Sequence, residues 1–419
     1  MKERKNTSNT YKFDFGFLTD YSHDSPMITD LRDRFEHTYV VGKTGMGKSS
    51  LMERMALHDS KHGNAIIFID PKGDSVRKLK HLMGDGPQVE FVSIESPVVI
   101  NPMNKEGYRL DNLIQEFIQI LDVLITLTAS NPESTVLMRE IINMAMRSIS
   151  NENQKNLEYL TSFLLYPQVR EQLRSTLKPS SPEYIYWAEF DDINSKHSRN
   201  RDKVESAKRV ASRLMEISTG EMKQFVVGKN EFDISQIVEN GKMVLVDTSR
   251  MNRNSRIYLS NLIVYAVLSY CEFAQKKDKP LLVYIDEFQI VVSSLFTELL
   301  ARSRSSHVGF TLEHQTFHQL PRNILSDIFG TVGTQICFRC GDEEATRFGH
   351  IFNIKPSELI NLPKYHAWLR IGTSNIRIET FPPPTINTTT SNTQETITFQ
   401  KETVPVPEFN LLGDAWINF

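Results

Sequence analysis

The run Gly42-Lys43-Thr44-Gly45-Met46-Gly47-Lys48-Ser49 satisfies the pattern G-x-x-x-x-G-K-[ST] in full. An apolar stretch from Thr38 to Val41 precedes it, and an apolar-periodic stretch from Ser50 to Leu57 follows. Strand, glycine-rich turn and helix in that order form a phosphate cradle. The glycines let backbone N–H groups turn inward around an anion, and the helix N-terminus adds positive potential. Lys48 is expected to reach the β and γ phosphates and Ser49 to hold Mg²⁺. The expected binding set is Gly42, Lys43, Thr44, Gly45, Met46, Gly47, Lys48, Ser49 and Ser50, with ATP and Mg²⁺ as the ligands.

A second constellation lies far along the chain. The apolar run Leu281 to Ile285 ends in Asp286-Glu287. A strand ending in two acids suits phosphoryl chemistry: Asp286 orients Mg²⁺ through water, and Glu287 polarises the attacking water as general base. Many switch GTPases lack the second acid, so the pair favours an ATPase that hydrolyses repeatedly to drive motion. Gln315 follows the apolar run Val308 to Leu312, and its amide can hydrogen-bond both the γ-phosphate and that water. Arg302 and Arg304 precede this run. Either could enter a neighbouring subunit's site to neutralise transition-state charge, or simply lie on a solvated helix end. Arg339 is a further candidate for that role. Cys337-Phe338-Arg339-Cys340 is formally C-x-x-C, but positions three apart on a strand face opposite sides and no second such pair exists. His314 and His318 read as bystanders.

These groups need a frame to hold them. Short runs rich in Val, Ile and Phe recur at residues 39–41, 65–69, 89–92, 243–246, 281–285, 308–312 and 334–338. Their near-continuous apolarity predicts strands covered on both faces, as in a parallel sheet. Helical patterns lie between them, at 49–57 and 256–273 for example, so the fold class is α/β and doubly wound. Residues 107–225 carry apolar residues only at helical spacing, which predicts an inserted all-α domain, with a loop at Lys178-Pro179-Ser180-Ser181-Pro182. After Pro382-Pro383-Pro384 the chain is dense in Thr, Asn, Gln and Ser, as a flexible linker would be. Its last residues, 409–419, are apolar again and could dock on a partner or pack on their own chain.

Composition sets outer limits. The 419 residues are 40% hydrophobic and 24% charged, an ordinary globular balance that excludes collagen-like, wholly disordered and disulfide-scaffold proteins. Three cysteines fit a reducing compartment. Net charge is −3, so any positive surface for nucleic acid must be local. One local excess exists: residues 196–213 hold seven Lys or Arg against two acids, a net of +5. The most apolar long stretch, 257–274, is interrupted by Ser260, Asn261, Ser269 and Glu272 and reads as a core helix, so no intrinsic membrane span is expected.

With these motifs in place, the chain resembles the HerA/FtsK superfamily of P-loop ATPases, and within it the type IV secretion and conjugation coupling proteins of the TrwB and TraD kind. The match rests on residues 37–50, Phe68-Ile69-Asp70-Pro71-Lys72-Gly73-Asp74, Tyr284-Ile285-Asp286-Glu287-Phe288-Gln289, residues 304–315 and the run 333–339. The resemblance implies a RecA-like core at 37–106 and 226–384, with 107–225 as the all-α domain at a ring's entrance. Apart from that resemblance, the N-terminal segment 1–36 carries the aromatic run Tyr11 to Phe17, which could form a small β element, and 385–419 reads as the linker and docking segment. The resemblance implies Lys48 and Ser49 for nucleotide, Asp286 and Glu287 for the second motif, Gln315 as sensor and Arg304 as the finger acting across an interface. Asp70 and Lys72 are implied to lie beside the nucleotide. A hexameric ring with DNA in its channel is implied too.

The resulting expectation is a cytoplasmic, ring-forming, ATP-hydrolysing DNA translocase. It would be brought to the inner face of the membrane through a separate secretion subunit, since coupling proteins begin with transmembrane helices and this chain does not. Two alternatives stay open: a nucleotide-switched adaptor that recruits relaxase or effector proteins, and a HerA-like ATPase paired with a nuclease in packaging or defence.

Overall fold

Seven short apolar runs become seven parallel strands because apolar helices cover the sheet on both sides. The computed structural model describes residues 13–18, 26–103, 109–128, 136–149, 155–192, 198–274, 279–292 and 294–385. The strands are β1 (Phe13–Leu18), β2 (Pro26–Thr29), β3 (Thr38–Val41), β4 (Ala65–Asp70), β5 (Val89–Val92), β6 (Met243–Asp247), β7 (Leu281–Ile285), β8 (Val308–His314), β9 (Thr334–Phe338), β10 (His366–Ile371) and β11 (Ser374–Glu379). They form one sheet in the order β2-β1-β11-β10-β9-β3-β8-β7-β4-β6-β5. From β9 to β5 every neighbouring pair is parallel. The four remaining strands extend one edge in antiparallel fashion.

The two faces are legible residue by residue. Ile67 and Ile69 of β4, with Val283 and Ile285 of β7, enter one apolar cluster. Ile66 and Phe68, with Leu282 and Tyr284, enter the other. The helices Lys48–Lys61 and Asp74–Met83 supply the second cluster, through residues such as Met52, Met55, Val76 and Leu79. The long helix Arg253–Phe273 lies in the first.

Between β5 and β6 the regular elements of the described residues are helices, among them Leu110–Thr128, Val136–Ser148, Leu157–Leu165, Pro167–Arg174, Pro182–Phe190 and Ser198–Ser218, and the stretch 93–103 that leads into them is turn and irregular chain with one bridge between Ser93 and Ser96. Asn156 and Ser181 cap two of them by accepting the N–H groups of Tyr159 and Tyr184. The predicted loop at 178–182 contains the second of these caps, and its last residue, Pro182, opens the helix. The buried Trp187 indole donates to Ser148 Oγ at 2.8 Å, tying two helices of this region together. Its apolar side chains join the same continuous cluster as the first face of the sheet.

Two elements differ from the sequence expectation. The hairpin β10–β11 was not anticipated, because its polar and apolar residues mix on a half-buried edge. The aromatic run near the N-terminus does not stand apart: its described part, β1, pairs with β11 and extends the main sheet. Its first residues, the Thr-rich linker and the terminal docking segment lie outside the described residues. Among the described residues, no helix is long and apolar enough to cross a membrane.

Candidate nucleotide site

Strand order brings distant motifs to one edge. β8 lies between β3 and β7, and β7 pairs with β4. All four run parallel, so their C-terminal ends share one rim, where open α/β sheets bind ligands. Val41 sits opposite His314, Ile285 opposite Leu312, and Ile69 opposite Ile285. The glycine-rich turn, Gln315, Asp286 and Asp70 are therefore neighbours although up to 273 residues separate them.

The turn after β3 requires glycine at two points. Gly42 has φ 153°, and a Cβ there would lie 2.7 Å from Phe338 Cβ. Gly47 has φ 114°, and its Cβ would lie 2.7 Å from the Tyr365 ring. Both values fall where L side chains rarely go. The turn is pinned from outside: Lys43 N–H donates to the Arg339 carbonyl at 2.7 Å. Lys48 opens the helix behind it, and its ammonium donates to the Lys43 carbonyl at 3.2 Å.

Charge is concentrated beneath this turn. Lys48 pairs with Glu313 Oε1 at 3.3 Å, both side chains almost fully buried, and Ser49 Oγ donates to Glu313 Oε2 at 3.4 Å. Glu287 is held by three donors. Lys72 and Gln315 reach Oε1, the latter at 2.7 Å, while Gln289 reaches Oε2 at 2.7 Å. Thr44 Oγ1 donates to the Gln315 amide oxygen at 3.1 Å, which links the glycine-rich turn to Glu287 through one side chain. Glu287 itself has φ 49°, a left-handed backbone that costs on the order of 1–3 kcal/mol for a residue with a side chain. Its N–H donates to Asp286 Oδ1 at 2.8 Å.

Burial and crowding set the protonation. Desolvation, then the nearby Glu313 and Asp70 carboxylates, push Asp286 up to about 9. Burial likewise raises Glu313, against the pull of Lys48. At Glu287 burial works upward, but the hydrogen bonds from Gln289 and Lys72 outweigh it and hold the carboxyl below its usual range. One acid of the cluster is thus kept protonated while another is kept ionised.

The structure brings together residues 42–50, Asp286, Glu287 and Gln315. It does not bring Arg304 to this rim. Arg304 begins the short 3₁₀ turn before β8 and pairs with Glu36, which precedes β3. β8 has seven residues, so this pair lies roughly 23 Å away, at the opposite end of the sheet. Arg302 pairs with Glu272. Arg339 does reach the turn, its Nε 3.1 Å from Met46 Sδ. Asp70 sits near Asp286 but spends its carboxylate on backbone: it accepts the N–H groups of Lys72, Ser75 and Val76 and so fixes the loop and the helix start after β4.

Other sequence candidates resolve simply. His314 is buried, hydrogen-bonded to Tyr39 and set among aromatic rings. Cys337 and Cys340 do not face opposite sides: their sulfurs are 3.6 Å apart and buried. β9 ends at Phe338, so the alternation rule stops before Cys340. In the basic stretch, Lys203 pairs with Glu140, Lys208 with Glu205 and Arg213 with Glu216, while Lys196 lies outside the described residues. Glu313, Gln289, Lys364 and Tyr365 were missed. Gln289 and Glu313 lie inside runs already singled out, two residues after Glu287 and two before Gln315, but spacing alone does not show what either side chain touches.

Comparison with known proteins follows this geometry. Residues 13–267 match the family model described as the central domain of the helicase HerA. No curated protein matches the sequence. Among solved structures, the plasmid coupling protein TrwB in complex with the GTP analogue GDPNP is similar over 85% of this chain and 88% of that one, with 16% identity and a TM-score of 0.62. TrwB in complex with ADP and Mg²⁺ gives the same coverage and identity with a TM-score of 0.61. VirB4 of Thermoanaerobacter pseudethanolicus is similar over 88% of this chain and 96% of that one, at 13% identity and a TM-score of 0.62. The fold is that of RecA-like P-loop ATPases.

Proposed function

The chain belongs to the family of the HerA helicase central domain, and on that premise we propose that it is an ATP-hydrolysing, ring-forming DNA translocase resembling the cytosolic part of a conjugative coupling protein. One observation carries the reading: Lys48, Ser49, Asp286, Glu287 and Gln315 meet on one rim, in hydrogen-bonded contact through Glu313 and Thr44. A turn that merely bound an anion has no use for a strained, ionised glutamate beside it.

The roles follow from the contacts. Lys48 exchanges its Glu313 partner for the β and γ phosphates of ATP. Gln315 spans Thr44 and Glu287 and so aligns the attacking water between phosphate and base. Glu287, ionised, accepts the water's proton. Ser49 and Asp286 would hold Mg²⁺, whose chemistry is to neutralise phosphate charge. The donor set fits: the Ser49 hydroxyl and the Asp286 carboxyl are oxygen ligands, and Asp286 is crowded by Glu313 and Asp70, a repulsion that a divalent cation would relieve. The basic stretch 196–213 supports a contact with DNA phosphates, although several of its charges are already paired.

The test is steady-state ATP hydrolysis by the purified protein with and without DNA. Hydrolysis is expected to rise with DNA and to vanish in Glu287→Gln. Turnover that ignores DNA would favour the nucleotide-switched adaptor, and no turnover under any condition would remove the enzyme reading.

A further inference from the structure

The cleft is also lined by residues outside the glycine-rich turn and the acid pair. Lys364 and Tyr365 line it beside Ser49 and Ser50, from the loop just before β10. Tyr365 has φ 64°, a left-handed backbone that a bulky aromatic residue rarely adopts. The surroundings hold it there. Its N–H donates to the Met46 carbonyl at 2.9 Å, and its own carbonyl accepts Thr380 N–H at 2.7 Å and Thr380 Oγ1 at 3.0 Å. Both backbone groups of a strained residue are thus tied, one to the glycine-rich turn and one to the chain leaving β11. The constraint sets the phenol ring against Gly47. The ring is half-buried, and its π-face takes the exposed ammonium of Lys364, 4.8 Å from the centroid.

We infer that Tyr365 is the platform on which the nucleoside of the bound triphosphate stacks, with the Lys364 ammonium swinging from the ring to the phosphates as the base arrives. This rests on the nucleotide reading above and adds the part of the substrate it left unassigned. A face that accepts a solvated ammonium is open to a flat π partner. Stacking on one aromatic face is blind to which purine is present, so the platform serves ATP and GTP alike.

The experiment titrates the full chain, in buffer containing Mg²⁺, with ATP, GTP and inorganic tripolyphosphate by calorimetry. In Tyr365→Ala, both nucleotides are expected to bind roughly tenfold or more weakly, with tripolyphosphate unchanged. Tyr365→Phe keeps the ring and is expected to bind all three like the parent. Tripolyphosphate reports whether the turn stays intact without the ring. Equal weakening of all three ligands in Tyr365→Ala would make the residue a buttress of the turn and overturn the proposal. Unchanged nucleotide binding would overturn it too. A parent protein that binds neither nucleotide nor tripolyphosphate would overturn the nucleotide reading and this inference with it.

Discussion

At the scale of single residues, the site is arranged to wait. The Lys48 ammonium, proposed to bind phosphate, is already engaged with Glu313 and with a backbone carbonyl. Glu287 is similarly engaged: one oxygen accepts from Lys72 and Gln315, the other from Gln289. In the proposed role of base, a carboxylate with three of its roughly four acceptor sites filled is weakened, and the loss of one donor would strengthen it. Lys72 is the donor free to go. Its side chain is 49% exposed and comes from a loop, whereas Gln315 is tied to Thr44. Lys72→Met is therefore expected to raise DNA-free hydrolysis. Half-exposed pairs are screened and contribute little, so the rise is limited to roughly fivefold or less. Turnover and nucleotide affinity, measured together, check this. A fall in both would instead make Lys72 a ligand of the phosphates.

At the scale of elements, His37 joins three of them. It precedes β3, its Nε2–H donates to the Leu300 carbonyl at 2.8 Å, and its Nδ1 accepts Phe310 N–H of β8 at 3.1 Å. Burial lowers it to about 4. A depressed histidine stabilises the fold above the unfolded value near 6.5, and that stability drains as pH falls towards 4, because only the unfolded chain takes up the proton. The loss approaches about 3 kcal/mol. Urea unfolding between pH 7 and 4 should show this loss, and the His37→Gln variant should show a shallower pH slope from a lower starting stability. An identical slope in both would remove His37 as the source. The same junction explains what could be read in advance. Phosphate turn and acid pair were legible because each is contiguous in sequence and each ends an apolar strand. Glu313 and the Lys72–Glu287 contact were not, since they depend on β8 lying between β3 and β7, an order set by helical crossovers and not by spacing. Tyr365 was hidden for a further reason: the hairpin that positions it lies on a half-buried edge whose mixed residues carry no clean alternation.

At the scale of the whole molecule, the position of Arg304 decides what kind of machine this is. The site has cations of its own, Lys48 and Lys72, and Arg339 stands beside the turn. Arg304 is on the far end of the sheet, paired with Glu36 on an exposed surface, and cannot reach the nucleotide in its own chain. If it contributes to hydrolysis it must do so from a second copy, and a ring is the closed arrangement in which every head-to-tail interface gains such a residue. Arg304→Ala is then expected to leave nucleotide binding intact and to lower turnover about 1000-fold or more, the scale of a supplied arginine in phosphoryl transfer. Mixing it with Glu287→Gln supplies the deciding measurement. Neither variant turns over alone. In a mixed ring, an Arg304→Ala subunit keeps its own Glu287 and receives Arg304 from a Glu287→Gln neighbour, so some interfaces are complete and hydrolysis returns. Sizing by light scattering would confirm that the mixture assembles. Assembled mixed rings that stay silent would remove Arg304 from the site and leave Arg339, already beside the turn, as the arginine to substitute next.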